Sequence, residues 1–470
     1  MKTCVRPIVP TSNENHLHRA NVLTFLIVYC LLTLATVKVD LFYYADGAYF
    51  AFAVASGHPW ELLWSEFPRR LGAMILTGGP ASLAQFFGAS HTLVGKIYQL
   101  TFFAIPIIGM GLVHWLVPGN VAQLWVTWQI LLIVTLGMST FGFPTETWVT
   151  LALLLPVIAS IVHPPEDKLR QACAFLLASF FCFSHEAAAM CGPALLVAFY
   201  KTWQEHDYKV RRYLAFLVTW YILNGSIWVA LMAGFQPHNI LLVKALQQNQ
   251  IHLWSLVFLH IPLVIFGIVM TAASFWLTAH PNHLRITGVR LAILTFIALI
   301  VLFWLSKETP SDRYISRSAI TWAVPLLSLV MVFWRKCPTW KVTQWILLPS
   351  LVVHTLTSIE AAAGWLQYRK LLDQHTTGLK IPLGSEWDDI VHKSLPQRAQ
   401  FYWGWSSPYT LVMLNNSLLR NGVILDNQGW YVPMTCEDAT IYLHNINWIY
   451  SDTVNSMVHD ICTKNPLIKE

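Results

Sequence analysis

Charge is what this chain has least of. Asp, Glu, Lys and Arg make up only 11% of its 470 residues, where ordinary soluble domains carry about 25%. Hydrophobic residues make up 55%. That pairing excludes a soluble enzyme and a disordered chain alike. Cys-x-x-Cys, His-Glu-x-x-His and P-loop patterns are missing, so zinc and ATP chemistry have no support in the sequence. Internal repeats and low-complexity segments are also lacking. The net charge is +6, but the basic residues sit in short loops and form no stripe, so nucleic acid is not an expected partner.

What the chain has is a succession of apolar runs, some only marginally long enough to span a bilayer. They predict helices over 21–38, 94–116, 120–138, 147–163, 170–184, 188–203, 213–234, 253–279, 287–305, 318–334 and 342–365, eleven in all. A twelfth run, 71–87, is interrupted by Gly78-Gly79-Pro80 and reads as a half-inserted or surface helix. With eleven spans the Lys- and Arg-rich loops (164–170, 201–212, 283–290, 335–341) fall on one side together with the N-terminus, and counting 71–87 as a full span breaks that agreement. The polar residues 1–19 before the first run, with no small-residue cleavage site after it, predict an uncleaved anchor with a cytoplasmic N-terminus. The 22 tryptophans suit the many helix ends at headgroup level.

The expected fold class is therefore an all-α polytopic membrane protein of about eleven transmembrane helices. Residues 1–365 form the membrane module, with a first outer loop at 39–93. Residues 366–470 change composition sharply and form a small mixed extramembrane domain on the outer side. Cys30, Cys173, Cys182 and Cys191 fall inside apolar runs as core residues. Cys436 and Cys462 share the outer domain and are either disulfide-bonded or two free thiols. Asn415-Asn416-Ser417 is a glycosylation sequon only in a eukaryotic lumen.

Polar residues of the outer half collect on one side: Asp40, Asp46, Arg69, Arg70, Glu146, His185, Glu186, Lys307 and Arg313 among them. An active site opening outward is implied. Each has a plainer reading. Asp40 can mark the end of the first helix in the headgroup zone. Arg69 and Arg70 can be snorkelling anchors. Glu146 can cap its helix. His185-Glu186 can cap or pack, or can orient an acceptor or bind a metal. Lys307 and Arg313 can pair with Glu308 and Asp312 in a solvated loop.

Tyr44-Ala45-Asp46-Gly47-Ala48-Tyr49, continuing to Ser56-Gly57-His58-Pro59-Trp60, resembles the first outer loop of the GT-C glycosyltransferase superfamily, where an Asp-Glu-x-Tyr element precedes a helix and Gly-x-Pro. Asp46 and Tyr49 match that element; Gly47 stands where Glu is common, which weakens a metal site. Ser311-Asp312-Arg313-Tyr314 resembles the Arg-Tyr of a late outer loop in many relatives. The resemblance implies sugar transfer from a polyprenyl-phosphate donor to a hydroxyl of a glycan or lipid acceptor, at the outer face of a bacterial inner membrane. Asp46 is then the general base with Asp40 as its understudy. Arg69, Arg70, Lys307 and Arg313 are candidates to hold phosphate. Tyr49, Glu146, His185, Glu186 and Tyr314 line the pocket. No cofactor is required, though a divalent metal stays open. The competing readings are an O-antigen ligase or polymerase, against which the short late loop 306–317 argues, and a lipid-linked substrate transporter or flippase, which calls for mid-helix charges and inverted repeats.

Overall fold

A computed structural model describes residues 12–55, 70–119, 121–136, 145–185, 191–234, 340–376 and 384–401, with isolated positions at 59, 142, 188, 310, 410 and 414 and two short strands. The described helices are α1 (Ser12–Val39), α2 (Asp46–Ala55), α3 (Leu71–Phe86), α4 (His91–Leu116), α5 (Val121–Leu136), α6 (Glu146–Val162), α7 (Lys168–Cys182), α8 (Gly192–Glu205), α9 (Tyr208–Gly234), α10 (Trp340–Thr376) and α11 (Gly384–Ser394). A one-turn 3₁₀ helix, Leu41–Tyr43, joins α1 to α2, and a second, Gln397–Ala399, follows α11. The strands Asp426–Asn427 and Trp430–Tyr431 pair antiparallel. The predicted spans 253–279, 287–305 and 318–334 lie outside the described residues.

Among the described residues, four helical stretches are long and apolar enough to cross a bilayer: His18–Val39, Thr92–Leu116, Tyr208–Leu231 and Leu347–His375. Val121–Val134 and Glu146–Val162 are shorter apolar helices. Two expectations need correction. Gly78-Gly79-Pro80 does not interrupt its helix: α3 runs unbroken through Pro80, where the Ser82 hydroxyl donates to Gly78 O at 2.9 Å. It packs against α4, α2 and α7, and such neighbours let a helix tolerate proline. The last helix does not stop near 365 either, but continues to Thr376.

Local chemistry sets the helix starts. Ser90 caps α4 by accepting from Leu93 N, and Asp167 caps α7 by accepting from Arg170 N at 2.8 Å. Asp207 does the same for Val210 N before α9.

The core is built on α6. Every residue from Glu146 to Val162 is buried, so this helix is apolar nearly all round and touches α3, α4, α5, α7 and α8. Pro156 within it has no N–H to give to the carbonyl of Ala152. Two neighbours meet that carbonyl instead. Gln129 of α5 donates its amide to Ala152 O at 3.3 Å. Gly109 of α4 lies so close that a Cβ there would stand 2.4 Å from the same oxygen, so only glycine fits at this crossing.

Candidate functional site

Two polar assemblies form where α1, α3, α4 and α6 meet the connecting segments. The first is a bracket around Asp40. Asp40 adopts the left-handed conformation, φ 60°, which Asp tolerates better than most residues. Its Oδ1 pairs with Lys96 of α4 and its Oδ2 with Arg369 of α10 at 3.1 Å. The same cations reach the carbonyl end of α1: Lys96 Nζ donates to Val37 O and Arg369 to Val39 O, where Trp365 Nε1 also donates at 2.8 Å. Cations favour a helix C-terminus. Beside them Tyr44, Trp365, Tyr368 and Phe401 form an aromatic cluster, with Tyr44 and Phe401 centroids 5.2 Å apart. Burial, with the Asp40 charge nearby, pushes the Tyr43 phenol above its ordinary pKa.

The second assembly holds Asp46, Arg70 and Glu146. Ala45, also left-handed at φ 54°, turns the chain so that Asp46 opens α2. Alanine in this region is strained, and such strain persists only where the surroundings enforce it. Asp46 is 8% exposed and sits in the first helical turn, where the helix dipole favours a negative charge. Arg70 immediately precedes α3, and its Nη1 lies 3.1 Å from Glu146 Oε1 at the first residue of α6. The Glu146 side chain is 4% exposed. The N-cap position belongs to Thr145, whose side chain makes no capping bond, so Glu146 serves the ion pair and the dipole and is not itself the cap. Tyr98 of α4 is fully buried where α4 packs against α2, α3 and α6, the helices that Asp46, Arg70 and Glu146 begin.

The backbone fixes this geometry. The α7 terminus delivers Phe183 O to Gly72 N at 2.9 Å and to Ala73 N at 3.3 Å, joining the end of one helix to the start of another. A Cβ on Gly72 would lie 2.7 Å from Phe180 O, so glycine at this position lets the start of α3 approach the end of α7. Ser184 and Thr150 bond at 2.8 Å one turn from Glu146. His185 follows directly, half-buried, with its carbonyl accepting from Ala188 N.

Of the site residues expected from sequence, Arg70 and Glu146 pair directly, Asp46 begins α2, which packs against α3 and α4, and His185 follows the end of α7 that bonds to the start of α3. Tyr49 is buried on α2, its ring 6.1 Å from Phe50. Asp40 belongs to the separate bracket. Arg69, Glu186, Lys307, Arg313 and Tyr314 lie outside the described residues, as do Cys436 and Cys462. Lys96, Tyr98 and Arg369 escaped the sequence reading. Lys96 and Arg369 had a signal, since each is a cation at the margin of an apolar run; Tyr98 had none. Among the described residues no three His, Cys, Asp or Glu side chains gather as metal ligands. No family model matches the chain, and no curated protein or solved structure matches it.

Proposed function

We propose that the protein is an integral-membrane glycosyltransferase that moves a sugar from a polyprenyl-phosphate donor to a hydroxyl of a glycan or lipid acceptor. The single observation that carries this reading is that buried Asp46 and the Arg70–Glu146 pair stand at the starts of α2, α3 and α6, which all pack against α4. A hydroxyl is a poor nucleophile, and a positioned carboxylate contributes about 10²–10⁴-fold by taking its proton. In the proposed step the Asp46 carboxylate accepts that proton while the acceptor oxygen bonds to the anomeric carbon from the face opposite the phosphate. The bond from that carbon to the phosphate oxygen breaks, and the electron pair leaves with the phosphate. One base and one inversion suffice, so the paired carboxylates of hydrolases are not needed. Arg70 offers the planar fork that suits a phosphate, and Glu146 holds the guanidinium in place. Burial concentrates the field of these charges.

In this reading the site faces outward from a bacterial inner membrane, the N-terminus is cytoplasmic, and residues 366–470 form the outer domain. About eleven spans complete the membrane module. Asp40, engaged by Lys96 and Arg369, positions the loop that carries Asp46 and is not the base.

The test is consumption of a polyprenyl-phosphate sugar in proteoliposomes carrying wild type, Asp46→Asn or Arg70→Gln at matched folded protein. The expected result is a loss of turnover of at least 100-fold for Asp46→Asn with donor binding retained, and weakened donor binding for Arg70→Gln. Turnover unchanged in Asp46→Asn removes Asp46 from the chemistry. Movement of intact lipid-linked sugar across the bilayer, without transfer, replaces the enzyme reading by a transporter.

A further inference from the structure

A groove of about 430 Å³ lies between α7 and α9, with its mouth toward the start of α7 and its floor reaching Ser179. Its mouth carries Lys209 and Arg212, and its walls are Phe175, Phe216, Trp220 and Leu223. The floor is fixed by Trp220, whose Nε1 donates to Phe175 O at 3.0 Å and to Ser179 Oγ at 2.9 Å. Phe216, Trp220 and Leu223 are exposed large hydrophobics. From Lys209 to Leu223 the helix rises about 20 Å, somewhat more than one leaflet of a hydrocarbon core about 30 Å thick. A charged head and an acyl chain fit that span together.

The cations at this end differ in how they are engaged. Arg170 pairs with Asp167 at 3.2 Å and lies over Trp115. Arg211 donates to Trp203 O at 2.9 Å. Lys209 and Arg212, by contrast, meet no carboxylate among the described residues; Arg212 rests 5.7 Å over the Phe216 ring, at the groove wall. Two cations without acids thus stand above an apolar channel that opens sideways. We infer that this groove binds an anionic phospholipid, its phosphate between Lys209 and Arg212 and one acyl chain along Phe216, Trp220 and Leu223. The bound lipid ties α9 to α7, its phosphate at the start of α9 and its acyl chain reaching toward Ser179.

The test is native mass spectrometry of the purified full-length protein, equilibrated with detergent micelles containing equal phosphatidylglycerol and phosphatidylcholine. Wild type is expected to retain phosphatidylglycerol preferentially. Each basic residue that meets the lipid phosphate is expected to contribute about fivefold, so Lys209→Gln with Arg212→Gln is expected to weaken retention about 25-fold. Arg170→Gln with Arg211→Gln removes as much charge from the same end and is expected to leave retention nearly unchanged. Thr219→Trp fills the groove, keeps both cations and is expected to expel the lipid; thermal unfolding confirms that each variant is folded. Equal retention of the two lipids by wild type overturns the inference. So does a loss in Arg170→Gln/Arg211→Gln as large as in Lys209→Gln/Arg212→Gln, or full retention by folded Thr219→Trp. A second copy of the chain covering the groove, seen as a dimer that excludes lipid, overturns it as well.

Discussion

Glu146 illustrates how one carboxylate can be both buried and useful. Its side chain is 4% exposed, and Arg70 at 3.1 Å supplies the charge that makes such burial tolerable. Arg70 itself is 20% exposed, so water softens the consequence of losing its partner. Glu146→Leu is therefore expected to cost about 1–3 kcal/mol, read as a lowered unfolding midpoint in detergent. Adding Arg70→Leu removes the stranded cation and is expected to recover much of that loss. A double variant that loses as much as the two single losses together, or more, rules out a mutually dependent pair. Asp46 behaves differently, because its carboxylate opens a helix at a strained junction after Ala45. The proposed function has Asp46 trade stability for activity, so Asp46→Asn is expected to unfold no earlier than wild type even where turnover is lost.

At the level of elements, the packing of α6 turns on one carbonyl. Pro156 leaves Ala152 O without its helical donor; Gln129 of α5 supplies one, and Gly109 of α4 closes over it. Gly109→Ala has to push α4 away from α6 and is expected to cost about 1–3 kcal/mol. Gln129→Leu is expected to cost less in a Pro156→Ala background than in wild type, because alanine in place of the proline restores the missing N–H. A coupling of about 0.5–1.5 kcal/mol between positions 129 and 156, measured by unfolding of the four proteins, is the expected outcome; none at all means that Gln129 is not the substitute donor. Helices of this kind were legible in the sequence, since long apolar runs announce themselves and the described starts and stops mostly fall within a few residues of those read from hydropathy. What hydropathy misjudged was proline and glycine. Gly78-Gly79-Pro80 looked like a break because isolated propensity says so, yet packing against α2, α4 and α7 carries α3 through it. The far end of α10 was misread for a related reason: residues 366–376 are polar, but their helix is held by Arg369 and Tyr368 against the end of α1 and the aromatic cluster.

Across the whole molecule, the Asp40 bracket joins parts of the chain more than 300 residues apart. Asp40 directly follows α1, Lys96 lies in the second turn of α4, and Arg369 with Trp365 comes from α10. Pairings between residues tens to hundreds of positions apart leave no pattern in a single sequence, which explains why Asp40 read equally well as a catalytic acid or a boundary marker, and why the pairing of Arg70 with Glu146, 76 positions apart, could not be foreseen. The two acids of the first loop can be separated by experiment. Asp40→Asn keeps the size of the side chain and the tolerance for left-handed backbone while removing the charge that two cations share. Both cations are partly exposed, with side chains 30% and 31% accessible, so screening limits the loss to about 1–2 kcal/mol. High salt should shrink it further, because partly exposed pairs are screened. Per folded molecule, Asp40→Asn is expected to retain most of its turnover, whereas Asp46→Asn is expected to lose turnover with its unfolding midpoint intact. That crossed pattern assigns the bracket to Asp40 and the chemistry to Asp46. The reverse, an Asp40→Asn protein as stable as wild type but inactive, moves the general base to Asp40 and makes Lys96 and Arg369 part of the reacting site.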